Sequence, residues 1–397
     1  MRALLIINPR ATAIAGDAAV DMVVRELSAH ADAETTRTRY RGHAHELAAA
    51  AATAGDYDLV LPFGGDGTVN EVVNGLMAGG KDASARPAIA PVPGGGANVF
   101  ARTLGLPTDP FRAVRQVLDA ADAGTARCIG LGLAAGPDGE RHFTFSAGLG
   151  VDAEVVADME LRRADGYRES APLFMWTALR RFYTATDRRH PALTMEADGE
   201  IQETALFMGV VTNSSPWTYV GSQPFSPAPH TDFNSGLDMF ALRRLDTLTT
   251  LHALKQMMHP GPDALTGRGV VSVTALPELA FQSTRPIAFH IDGEYVGETE
   301  KVAFRHLPSA LRVFALCVME MTPFPKRMLA EPSCAGRAAI ERLVAVPGTK
   351  VRPGGPRTPG RGNAPHRSVQ GTRLIPRRDH FGTRETTGIK VVSHDMA

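Results

Sequence analysis

The stretch that most constrains this chain is Leu59–Leu76, LVLPFGGDGTVNEVVNGL. It reads as a buried strand over 58–63, a turn made of Gly64, Gly65, Asp66 and Gly67, and a helix after it. The helix repeats apolar residues at Val69, Val72, Val73 and Leu76, the spacing of one buried face. Thr68 sits where the helix should begin and is the expected cap. Three glycines in four positions admit positive φ and let a ligand approach the backbone closely. Unpaired N–H groups at a helix start attract an anion. The expectation is therefore a phosphate-binding turn after a parallel strand. A carboxylate among these glycines also calls for a cation or a donor between Asp66 and any phosphate. The pattern is neither a P-loop nor the dinucleotide G-x-G-x-x-G.

The rest of the first 126 residues repeats the same strand–helix alternation. Strands are expected at 3–7, 33–39 and 88–92, and helices at 17–28, 43–54, 98–104 and 111–123. The polar 33–39 strand belongs near an edge. Such units build a doubly wound α/β domain on a parallel sheet, with ligands at the carboxyl ends of the strands. Four segments close those strands: Asn8-Pro9-Arg10-Ala11-Thr12, Thr38 with Arg41-Gly42-His43-Ala44, the Gly64–Thr68 turn, and the run Pro93–Arg102. All four should cluster at one edge, as a nucleotide site requires.

After residue 126 the pattern becomes short strand-like runs broken by Gly, Pro and Asp, with helical insertions at 153–163 and 173–184. This density predicts an antiparallel β-sandwich over 127–318, whose last strand is free to return to the first domain. With 397 residues, 44% of them apolar, the chain can fill two such domains. Its three cysteines have neither paired nor metal-ligand spacing, which points to a reducing compartment. The apolar run at 3–7 is too short for a signal segment, and nothing approaches a membrane span. Charge is segregated. Residues 1–322 carry 28 Lys+Arg against 37 Asp+Glu, a net of −9, and residues 323–397 carry 14 against 5, a net of +9. The Pro/Gly-rich, basic 323–397 segment has the composition of a disordered tail, with a short helix conceivable at 338–344. Its charge would draw it to anionic lipid head groups. No basic–aromatic interleaving argues for nucleic acid.

Gly64-Gly65-Asp66-Gly67-Thr68 followed by Asn70-Glu71 resembles the nucleotide-binding signature of the diacylglycerol kinase catalytic-domain family, which includes bacterial soluble lipid kinases and sphingosine kinases. NAD kinases share this type of turn. A second stretch separates them: Pro93, Gly95, Ala97, Asn98, Phe100, Ala101 and Arg102 match the lipid kinases' second Gly-rich run, with Gly96 and Val99 replacing the usual Thr and Asp. The first strand end also departs from the family's Asn-Pro-x-Ser-Gly, which leaves Thr12 to supply the hydroxyl. The resemblance implies ATP and Mg2+ as cofactors. Asn8, Pro9, Arg10, Ala11, Thr12, Thr38, Gly64, Gly65, Asp66, Gly67, Thr68, Asn70, Glu71, Gly95, Gly96 and Asn98 would form the nucleotide site, with Asp66 as the metal contact.

As bare residues, Asp292-Gly293-Glu294 is an ordinary hairpin turn. In the family the corresponding turn carries the general base, so the resemblance makes Asp292 the base and Glu294 its supporting or alternative acid. The implied reaction phosphorylates a lipid alcohol, diacylglycerol to phosphatidic acid, by a cytoplasmic protein touching the inner membrane surface. A homodimer stays open. The alternatives are an NAD-kinase-like small-molecule kinase and a nucleotide-binding protein without catalysis.

Overall fold

Runs such as Ala3-Leu4-Leu5-Ile6-Ile7 carry no polar residue on either face, so both faces must be covered, and parallel strands between helices do this. The computed structural model, which describes residues 1–12, 16–80, 82–164, 171–259 and 265–314, has that arrangement at its N-terminal end. The order is β1 (Arg2–Ile7), α1 (Pro9–Thr12), α2 (Asp17–His30), β2 (Asp32–Arg37), α3 (His43–Ala54), β3 (Leu59–Gly64), α4 (Asp66–Ala78), β4 (Ala88–Ile89), β5 (Val92–Pro93), α5 (Val99–Thr103) and α6 (Pro110–Asp122). β1 lies between β2 and β3, parallel to both, and β3 continues to β4 and β5 in the same sense. The polar β2 is the edge strand. The alanine-rich α3 packs so closely on α4 that a Cβ at Gly75 would meet the His45 carbonyl and Ala48.

The second half contains β6 (Ala126–Gly136), β7 (Gly139–Phe143), β8 (Ser146–Gly150), α7 (Val151–Ala164), α8 (Ala171–Thr184), β9 (Leu193–Ala197), β10 (Glu200–Leu206), β11 (Met208–Thr212), β12 (Thr218–Val220), β13 (Gln223–Phe225), β14 (Leu237–Leu242), α9 (Thr247–Met258), β15 (Val270–Leu276), β16 (Glu278–Ile291) and β17 (Glu294–Phe314). These strands are antiparallel to one another, as the broken pattern suggests, but apart from the small β12–β13 pair they do not form a sheet of their own. A single hydrogen-bonded path runs β15-β14-β11-β8-β16-β17-β4-β3-β1-β2. The 21-residue β17 makes the join. It pairs antiparallel with β16 and β6, and its Val313 pairs in parallel with Ile89 of β4.

β17 runs without a break as far as residue 314. Pro308 and Ser309 interrupt its sequence pattern, and the β17–β6 register shifts between Leu307 and Leu311 without ending the pairing. Helix α9 gave no sequence signal strong enough to predict it. Its Asp246 cap accepts the Thr249 N–H at 3.0 Å, and only Ala253 and Met257 are buried, a narrow stripe. The basic segment 323–397, its helix at 338–344, Cys317 and Cys334 lie outside the described residues.

Candidate active site

The turn is tighter than the sequence suggests. Gly64 is the last residue of β3, Gly65 is the N-cap of α4 without a side-chain cap, and Asp66 and Gly67 already belong to the helix. Thr68 is thus not the cap. Its hydroxyl accepts the Asn8 Nδ2–H at 2.8 Å, linking the ends of β1 and β3, and a Cβ at Gly64 would strike it. Asn8 also donates its backbone N–H to Phe63 O at 2.9 Å and accepts the Arg10 N–H at 3.1 Å, which winds Pro9, Arg10, Ala11 and Thr12 into α1. The Thr12 hydroxyl is buried and donates to Asn8 O at 3.0 Å, so it is committed to holding α1 rather than offered to a phosphate.

The second Gly-rich run packs on the first. A Cβ on Gly95 would lie 2.6 Å from Gly65 Cα, so only glycine allows the two backbones to approach this closely. Asn98, at φ 49°, locks its own loop by accepting the Gly95 N–H at 2.9 Å and donating to Gly95 O at 2.8 Å. Gly96 is exposed at the loop tip. Asp66 spans the two runs, accepting the N–H groups of Val99 at 3.0 Å and Phe100 at 3.1 Å at the start of α5. Thr38 follows β2, and its N–H donates to Ile7 O at 2.8 Å, which sets it beside the end of β1. The strand-end segments named from sequence are thus neighbours, with Gly65 and Gly67 partly exposed among them.

One turn further along α4, Asn70 is wholly buried and connects the two halves of the site. Its Nδ2 donates to Asp292 Oδ2 at 2.8 Å and His142 O at 2.9 Å. Its Oδ1 accepts from Arg141 Nε at 2.8 Å and Nη2 at 2.6 Å. Glu71 turns the other way. It accepts the N–H groups of Gly42 at 2.9 Å and Ala44 at 3.2 Å, capping α3 from outside its own chain segment.

Asp292 and Gly293 form the two-residue turn between β16 and β17, with φ of 47° and 72°, the mirror-image turn that Asp-Gly favours. The Asp292 side chain points into the protein rather than into a cleft. Besides Asn70, its carboxylate accepts from Thr144 N at 2.8 Å, Thr144 Oγ1 at 2.9 Å, Phe145 N at 3.0 Å and Ser146 N at 3.1 Å. Five donors surround a carboxylate that is 2% exposed. Glu294, two residues on, has a different setting. Its side chain is held by Arg41 and Arg141 and lines a cavity of about 460 Å³ together with His45, Asn70, Glu71 and Arg141. Phe289 and Ile291 supply part of its apolar wall.

Arg141, His142, Asn74 and Thr144 carried no sequence signal. They sit in β7, after β7 and on α4, and matter because Asn70 and Asp292 bond to them. The Asn74 Oδ1 accepts the His142 N–H at 2.8 Å. Burial, reinforced by Arg86 and Arg305, pushes the His142 imidazole down to about 4. Asp66 is a poor fit as a protein anchor for magnesium. Both its oxygens are bonded to backbone N–H, and among the described residues no group of three His, Cys, Asp or Glu could hold a metal ion.

A parallel sheet with two interlocked Gly-rich turns at its carboxyl edge, joined through one helix to a carboxylate-bearing hairpin, defines the class of α/β protein to which this fold and site belong. Residues 2–126 match the model of the diacylglycerol kinase catalytic domain. The chain is 28% identical over 252 residues to a diacylglycerol kinase of Bacillus subtilis, covering 61% of this chain and 73% of that one. It is also 28% identical over 241 residues to a probable lipid kinase YegS-like of Chromohalobacter salexigens, covering 59% and 69%. The crystal structure of a diacylglycerol kinase from Bacillus anthracis shares the fold, with a TM-score of 0.56 at 21% identity over 79% of this chain and 96% of that one. Among the described residues no helix is long and apolar enough to cross a membrane.

Proposed function

We propose that this protein transfers the γ-phosphoryl group of ATP to the hydroxyl of a lipid alcohol, with diacylglycerol as acceptor and phosphatidic acid as product. The observation that carries the reading is the position of α4. Its first turn offers N–H groups among the glycines, and its second turn bonds through Asn70 to the hairpin bearing Glu294. The phosphates would lie against Gly65, Gly67 and Gly96, with Asn8, Arg10 and Thr38 around them. Acceptor specificity rests on the family and its named relatives, and the apolar wall of Phe289 and Ile291 suits an acyl chain.

Of the two acids in the Asp-Gly-Glu turn, Glu294 is the better base. It faces the cavity, whereas every side of Asp292 is taken by donors, so Asp292 positions the turn. Arg41, the more exposed of the two arginines that hold Glu294, is free to swing towards bound phosphates and open one carboxylate oxygen. That oxygen takes the acceptor's hydroxyl proton as the acceptor oxygen bonds to the γ-phosphorus and the bond to ADP breaks. The test is incubation of purified protein with labelled ATP and, separately, diacylglycerol, monoacylglycerol, a sphingoid base and NAD. Label on diacylglycerol is expected. Label on NAD alone overturns the lipid reading, and ATP binding without transfer to any acceptor overturns the kinase reading.

A further inference from the structure

An amphipathic helix on a globular protein normally turns its apolar side chains towards the core, and α8 also carries a set of them that faces out. Thr177 and Phe182 are buried on one side. Trp176, Leu179 and Tyr183, spaced i, i+3, i+7, face outward together, and Trp176 is 52% exposed. The stripe extends onto both neighbouring helices. Arg162 of α7 stacks its guanidinium 4.9 Å from the Trp176 ring centre, beside the exposed Leu161. The Tyr183 hydroxyl lies 3.1 Å from Thr247 Oγ1 at the start of α9, next to Leu248, which is 80% exposed. Large apolar side chains gathered in this way mark an interaction surface.

The charges around the stripe decide what it fits. Arg180 lies 5.7 Å from the Trp176 ring, and Arg188 lies 5.3 Å from that of Tyr183. These arginines are stacked on rings, whereas Arg181, on the inner side, is paired with Glu154 and Asp158 at 3.2 Å. Trp and Tyr flanked by arginine are the side chains that settle at a bilayer's head-group level. A second copy of this chain would set arginine against arginine. An anionic membrane would repel most of a body with a net charge of −9 over residues 1–322, which makes a local basic and aromatic patch the point of approach.

We infer that the outer face of α8, with the adjoining ends of α7 and α9, docks the protein on an anionic lipid bilayer. The inference rests on the lipid-acceptor reading for its purpose but not for its physics. Docking is also tied to the site, because Tyr295, the residue after Glu294, donates its N–H at 3.0 Å to Glu160, which precedes Leu161 and Arg162 on α7.

The chain has two tryptophans, so Trp217→Phe leaves Trp176 as the only one and makes its emission a reporter of this surface. The full chain carrying that change is mixed with phosphatidylcholine vesicles, with or without phosphatidylglycerol. A blue shift with the anionic vesicles, and quenching by brominated acyl chains in them, is expected. Co-sedimentation of the otherwise unaltered chain should fall about tenfold with Trp176→Ser plus Leu179→Ser, and about fivefold with Arg180→Glu. Transfer to a short-chain, water-soluble diacylglycerol should be unchanged in these variants. If that substrate is not phosphorylated by the unaltered chain, the functional reading fails while the docking result stands. Sedimentation without any change in Trp176 emission would assign binding to another part of the chain and overturn the proposal. So would a monomer–dimer equilibrium abolished by Trp176→Ser.

Discussion

Asn70→Ala is the most informative single change, because one buried amide serves both halves of the site. The truncation removes one of the five donors around Asp292 and the acceptor used by two nitrogens of Arg141. The His142 carbonyl keeps the Asn74 Nδ2–H at 3.1 Å, so no backbone group is orphaned. Hydrogen bonds to charged groups are worth about 1.5–3 kcal/mol each. Arg141 is part exposed and retains Glu294, which discounts its share. The expected loss is about 3 kcal/mol, which a urea slope of about 3 kcal/mol/M turns into a midpoint about 1 M lower. Transfer should fall about a hundredfold beyond this, since freeing the hairpin misplaces Glu294, while ATP affinity holds. The near-isosteric Asn70→Asp sets a second carboxylate against Asp292 Oδ2. That pair must hold a proton to fold, so its deficit relative to the parent should shrink as pH falls. A loss below about 1 kcal/mol for Asn70→Ala, with transfer intact, would refute the account of Asn70 as the link.

Other substitutions separate the roles assigned above. Glu294→Gln should leave the urea midpoint in place and lower kcat by about 10²–10⁴-fold; Asp292→Asn, which turns an amide N–H towards backbone N–H groups, should instead cost about 3 kcal/mol of stability, and equal kinetic profiles for the two would sink the division of labour. Gly95→Ala forces a methyl towards Gly65 Cα and should weaken ATP binding about tenfold by calorimetry, with an unchanged Kd counting against a nucleotide at that turn. His142 gives a pH signature. Because its folded pKa, about 4, lies below its unfolded value of 6.5, its stabilisation is complete above that value and drains away as pH falls towards the folded one. Between neutrality and about pH 5 this costs about 2 kcal/mol, and His142→Gln should lose that slope in urea titrations.

Much of the parallel half was legible because buried strands such as Leu59–Gly64 announce themselves by composition, and α4 by its period. The joins were not. Short-range patterning cannot report that β17 runs unbroken from the Asp-Gly turn to a parallel pairing with β4, because the evidence for that lies in contacts between residues more than 200 positions apart. The same limit governed the site. Asn70 could be picked out from its place after the turn, yet Arg141 and Thr144, its partners in holding the hairpin, sit in stretches with no distinguishing neighbours. Trp176 shows the same limit from another side. Its apolar surroundings, Phe174-Met175-Trp176, suggest core packing, and only the turn of α8 reveals that it faces outward.

Acids beside glycines invite a reading in terms of phosphates and cations, but the fold gives three of the four acids in these motifs another duty. Asp66 bonds the start of α5, Glu71 bonds the start of α3, and Asp292 bonds three successive N–H groups at Thr144, Phe145 and Ser146. Each closes a joint between segments distant in sequence, and each is held by backbone donors that cannot leave without undoing the fold. A proton acceptor must be able to exchange its partner during turnover. Glu294 meets that condition, since arginine side chains on long, flexible stems hold it and one of them is largely exposed. On the proposed kinase reading, the chemistry therefore falls to Glu294, the acid with the weakest structural commitment. The more conspicuous Asp66 and Asp292 instead hold the Gly64–Gly67 turn and the hairpin bearing Glu294 in place.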